Sequence, residues 1–275
     1  MNKFVVFLGI PLILTASMAW GQAIEPRPVA PRQPEGQISL EVQEYQRLPK
    51  SGPVAKRLSA FQSFVDRYPG TQLSLRVIRD AAIFFILQDT GNDLESLGEC
   101  VQWMGKHLES PAFEWARYRQ ASDSLILDRI ETHVLYARVL ASYADAISMG
   151  GAAERSAGVY NRALTVLNEA QTEWDNHPNF YRLRSDLAEG IDFTRAWCLH
   201  GKGNYRDALR GYTNFLDRFP SSDFVPAALW NASQCLQVLD PSGSQQRMSF
   251  YHQRLEEEFP GSPETAMLRS LRNSR

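Results

Sequence analysis

Lysine and cysteine are both scarce in this 275-residue chain. Of the 29 basic side chains only 5 are lysine and 24 are arginine; against 31 carboxylates they leave a net charge of −2. No long basic stripe runs along the chain, so the footprint that would neutralise many phosphates is missing and no nucleic-acid partner is expected. The three cysteines, Cys100, Cys198 and Cys235, are odd in number, so the fold cannot depend on a disulfide framework. Each lies in an apolar helical stretch, where a thiol is usually a small, inert, buried hydrophobe.

Motifs that carry chemistry are equally sparse. His107, His133, His177, His200 and His252 contain no pair spaced i, i+4, and no Cys-x-x-Cys occurs, so no metal site is expected. There is no glycine-rich phosphate loop, no G-x-S-x-G elbow and no dinucleotide fingerprint; Gly201 and Gly203 read as a helix turn. The sequence therefore predicts no catalytic residues and no cofactor. Long hydrophobic runs are missing too. The one apolar run, residues 4–14, contains Gly9 and Pro11, whereas a membrane-spanning helix needs about 20 apolar residues. With Lys3 before it and small residues after it, the run reads as an export signal over residues 1–23, cut after Ala19, Gly21 or Ala23. No cysteine follows to accept a lipid. The expectation is a periplasmic or secreted protein that is not a lipoprotein and has no transmembrane segment after cleavage.

What the chain does have is helical spacing. Residues 24–36 carry Pro26, Pro28, Pro31 and Pro34 and read as an extended linker. From residue 37 to 275 apolar residues recur at intervals of three and four, with no sustained alternation of period two, which predicts an all-α domain. Leu94, Leu97, Val101, Met104 and Leu108 form one stripe, with Gly91 as a break and Asn92 or Asp93 as a cap. Ile78, Ala81, Ala82, Phe85 and Ile86 form the stripe of a preceding helix, and the short turn between them predicts an antiparallel pair. A further helix spans residues 125–149, ended by Gly150 and Gly151.

One helix ending recurs. Phe64, Val65, Asp66, Arg67, Tyr68, Pro69 matches Phe215, Leu216, Asp217, Arg218, Phe219, Pro220, and a looser version ends in Phe259 and Pro260. Pro111 and Pro178 fall at similar ends. Proline has no N–H to continue a helix and biases its predecessor away from α geometry, so each marks a stop. The run Ala196, Leu199, Gly203, Asn204, Tyr205, Ala208, Tyr212, Phe215, Pro220 resembles the tetratricopeptide repeat, with small residues where paired helices approach and aromatics in the wedge between neighbours. A second such stretch covers residues 227–260, with Ala232 in the small position and an insertion at residues 240–243. The subtype is similar to bacterial periplasmic and outer-membrane-assembly members of that family.

The resemblance implies an α-solenoid of about five stacked helix pairs, most regular over residues 179–275 and closed by a capping helix over residues 263–275. It also implies a concave groove that takes a protein or peptide partner in the cell envelope, lined by Phe193, Trp197, His200, Leu229 and Ser233. Packing between repeats is the competing assignment for Phe193 and Trp197. Two other functions compete. Lytic transglycosylases end a catalytic helix with Glu-Ser, as Glu109 and Ser110 do, which would make Glu109 a general acid on a glycan; the Gly-Leu-Met-Gln element of that family is absent, and Pro111 follows. A purely structural envelope component, its groove filled by its own linker, is the other.

Overall fold

A computed structural model describes residues 39–50, 54–87, 94–114 and 121–273, with the backbone alone at residues 54, 55, 85–87 and 96. The export signal, the linker, Gly91 and the caps Asn92 and Asp93 lie outside the described residues, as do the side chains of Phe85 and Ile86. Among the described residues all regular structure is helical. The elements are α1 (Leu40–Gln46), α2 (Val54–Arg67), α3 (Gln72–Leu87), α4 (Leu94–Leu108), a 3-10 turn (Pro111–Phe113), α5 (Asp123–Met149) and α6 (Ala153–Asp175). They continue with α7 (Phe180–Leu183), α8 (Ser185–Gly201), α9 (Tyr205–Arg218), α10 (Val225–Leu239), α11 (Gln245–Glu258) and α12 (Pro263–Asn273).

The prolines and glycines stop these helices as chain sterics require. α9 ends at Phe219 (φ −131°, ψ 59°) before Pro220, and α11 ends at Phe259 (φ −131°, ψ 53°) before Pro260. The two endings share one backbone conformation because each residue before proline is pushed out of the helical region. Gly203 turns the chain between α8 and α9 at φ +79°, a left-handed conformation that a side chain disfavours. Starts are set by hydroxyl caps where they occur. Thr71 accepts from the Ser74 N–H at 3.1 Å ahead of α3, and Ser262 accepts from the Thr265 N–H at 3.2 Å ahead of α12.

Packing follows a repeated order. α3 touches α4 and α5, and α4 touches α5; α5 touches α6 and α8, and α6 touches α8. The same triad recurs in α8, α9 and α10, and again in α10, α11 and α12, while α1 and α2 both rest on α3. The side-by-side register is also repeated. Arg76 of α3 bonds Asp128 of α5, and Asp145 of α5 bonds Trp197 of α8, each across 52 residues of sequence. Close approach needs small residues: a Cβ at Gly211 of α9 would lie 2.9 Å from the Ala196 Cβ of α8.

α5 is the centre of the molecule. From Ile126 to Ile147 nearly every side chain is buried, including Arg129, Glu131, Thr132, His133 and Arg138. A buried polar group costs free energy unless it is hydrogen-bonded, and several bonds meet that need here. The Thr132 hydroxyl donates to the Asp128 carbonyl at 2.6 Å, and His133 Nδ1 lies 2.9 Å from the Arg129 carbonyl. Burial, with the Arg129 charge beside it, pulls His133 down to about 3, so its ring is neutral. The Arg138 guanidinium lies 5.1 Å from the centre of the Phe224 ring, a cation–π contact that ties α5 to the start of α10.

Candidate functional site

The five residues assigned to the groove lie on α8 and α10, and four of them are buried. Phe193 stacks on Phe224, with centroids 4.7 Å apart and planes 13° apart, and meets Phe215 edge-on at 5.7 Å. Trp197 donates its Nε1–H to Asp145 at 3.0 Å. His200 is half-buried and edge-on to Tyr205 and Tyr212; burial pulls it down to about 4, so it is neutral at pH 7. Leu229 is fully buried. The Ser233 hydroxyl donates to the Trp230 carbonyl at 2.7 Å, with His252 Nε2 at 3.1 Å. These side chains therefore pack α8 and α10 against their neighbours, and Glu189, Asn231 and Gln234 are among the partly exposed groups beside them on the same helices.

Glu109, the candidate acid, follows the last residue of α4 and is exposed. Arg162 of α6 donates to its Oε1 from Nε at 2.9 Å and from Nη2 at 2.6 Å. Gly105 leaves the room that guanidinium occupies, since a Cβ there would lie 2.7 Å from the Tyr136 hydroxyl as well as against Arg162. A glycosidic acid must present a proton to a substrate held in a cleft. An open cleft of about 570 Å³ does exist between α4, α5 and α6, lined by Leu94, Glu95, Gly98, Gln102, Tyr143 and Arg155, but Glu109 does not line it. Among the described residues no group of three His, Cys, Asp or Glu side chains is placed to hold a metal ion. None of the described helices is long and apolar enough to cross a membrane.

Two polar constellations escaped the sequence reading, and both centre on α5. One is a chain of charges across three helices. Glu131 receives Arg184 at 3.2 Å and lies 3.6 Å from Arg79 of α3; Arg184 continues to Asp186 of α8 at 2.8 Å and Arg79 to Asp80 at 3.2 Å. Burial pulls Arg184 down, yet its bond to Asp186 and the charge of Glu131 outweigh that and hold it above its ordinary value. Alongside, Asp128 accepts from Arg76 at 3.3 Å and from Gln72 at 2.6 Å. The other constellation is Asp145, which accepts from Tyr160 of α6 and from Trp197 of α8. The available signal was charge inside an apolar helix, Asp128, Arg129, Glu131, Arg138 and Asp145 within one predicted span, which marks a buried element obliged to find polar partners.

All cysteine side chains are buried and free, and burial raises each thiol, Cys235 to about 12. They are unreactive thiols by environment. Comparison of the chain with family models, with curated proteins and with solved structures finds no match.

Proposed function

We propose that the chain is an exported scaffold of tetratricopeptide type, which holds a protein or peptide partner in the cell envelope and catalyses no reaction. The observation that carries this reading is the row formed by α3, α5, α8 and α10, each packed against the next while a second helix of each pair covers its back. With α1 and α2 linked through Tyr45 and Phe64 and through Glu44 and Arg67, the order supports five successive pairs closed by α12, as an α-solenoid requires. Such a row spreads a partner's contacts over several helices rather than concentrating them in one pocket. The packing of the small and aromatic positions supports the reading. Ala196 meets Gly211, Ala208 is buried, and Tyr212 is buried against Phe193 and His200.

The buried state of Phe193, Trp197, Leu229 and Ser233 moves the proposed contacts to their partly exposed neighbours Glu189, Asn231 and Gln234. A photoreactive residue replacing Gln234 in the exported full-length chain should capture one discrete protein in cells, and the capture should be lost in a Glu189→Lys background. The same residue replacing Arg206, exposed on α9, serves as the control. Identical capture from both positions, or none from Gln234, would sink the reading.

A further inference from the structure

Asp145 occupies the last third of α5, where α6 and α8 close on it. One carboxylate oxygen accepts from the Tyr160 phenol of α6, and the other accepts from the Trp197 indole of α8 at 3.0 Å. The closure is tight. The Tyr160 ring lies where a Cβ on Gly201 would be, so only glycine at that place lets the end of α8 come down on α6. Besides those two donors, the titratable groups that bear on Asp145 are Cys198 of α8 and Tyr212 of α9. Burial pushes that thiol and both phenols upward, so all three are neutral at neutral pH. No cation is among the groups acting on the carboxylate. Glu131, by contrast, has Arg79 and Arg184 on either side.

We propose that Asp145 is a proton-operated joint between α5, α6 and α8, which takes up a proton in mildly acidic medium and locks the three helices more firmly in that form. The bonding can accept the proton without losing a contact. The buried Ser156 hydroxyl, one turn earlier on α6, is among the groups that act on the Tyr160 phenol. A proton from solvent placed on the Tyr160-facing oxygen of Asp145 lets that O–H donate to the phenol oxygen, while the phenol O–H turns to donate to Ser156 and Trp197 keeps its bond to the other oxygen. The hydrogen-bond chain reverses direction and the burial of a charge is relieved.

Burial, only partly opposed by the bonds from Tyr160 and Trp197, raises the carboxyl from 3.8 to about 6. The folded chain therefore binds this proton roughly a hundredfold more tightly than the unfolded chain does. The sign follows: the stabilisation is fully present below the unfolded value, fades as pH rises through the folded value, and is absent at neutral pH.

The test is chemical denaturation of the full chain and of Asp145→Asn between pH 4.5 and 8, with the carboxyl carbon of Asp145 followed by NMR in labelled protein. The expected result is that the native chain loses stability relative to the variant as pH rises to about 6 and runs parallel to it above, and that the carbon resonance titrates with its midpoint near 6. Tyr160→Phe keeps the ring but removes one donor to the carboxylate, so its midpoint should move upward. Stability curves that stay parallel, a resonance that titrates near 4, or an unmoved midpoint in Tyr160→Phe would overturn the joint. Should Asp145→Asn fail to fold, the resonance in the native chain and in Tyr160→Phe decides the matter alone.

Discussion

Glu131 and Glu109 both meet an arginine, and their surroundings give the two pairs different energetic weights. Glu131 is 1% exposed with a guanidinium on either side, and removing its charge leaves Arg79 and Arg184 relying on the more exposed Asp80 and Asp186. Breaking a buried pair on one side costs about 3–5 kcal/mol. Because those outer carboxylates remain, Glu131→Gln should destabilise the protein by about 3 kcal/mol in urea denaturation, the lower end of that range. Glu109 is 55% exposed and Arg162 40% exposed, so solvent screens them. Glu109→Gln should change stability by less than about 1 kcal/mol. Equal losses in the two variants would mean that the charge chain across α3, α5 and α8 is not the fastening described here.

Whole elements depend on where small residues and turn residues fall. The contact between α8 and α9 is set by Ala196 against Gly211, and Gly211→Val would place its Cβ 2.9 Å from the Ala196 Cβ with further carbon beyond it. Overpacking of this kind costs about 1–3 kcal/mol, which should appear as a fall in the thermal midpoint of about 2–4 °C per kcal/mol for a chain of this size. A variant with an unchanged midpoint would mean that α9 can shift without loss. Elements were also what the sequence displayed most clearly. The stripe from Leu94 to Leu108 is α4 to the residue, and the span 125–149 is α5 apart from two residues at its start. The helix starts earlier, at Asp123, while the apolar periodicity begins only at Leu125.

Among the described residues each helix contacts near neighbours in sequence order, and α5 meets α3, α4, α6 and α8 at once. In a solenoid of the kind proposed, stability is local, being carried by each unit and its immediate interface. Leu255 of α11 is fully buried next to α10 and α12. Leu255→Ala should therefore raise amide exchange across α11 and α12 by about 2–5 kcal/mol of lost protection while α5 keeps its own. Uniform loss of protection from α5 to α12 would show a single cooperative unit instead, and would remove the one-dimensional character on which the scaffold proposal leans.

The sequence by itself determined that the chain is helical and where many of its helices stop. Those outcomes depend on local chain geometry: the steric demand of Pro220 and Pro260 on the residue before them, the left-handed turn at Gly203, and a periodicity that only a helix can bury on one side. Which side of a helix is covered, and by what, was decided by tertiary structure. Phe193 and Trp197 have the same spacing whether they face a groove or a neighbour, and only the arrival of Phe224 and Asp145 settles that they are enclosed. Likewise the sequence marks Asp145 as a charge within an apolar helix and says nothing of what meets it. Its partners stand 15 and 52 residues away, and only the closing of α6 and α8 on α5 removes the water that would otherwise hold its charge.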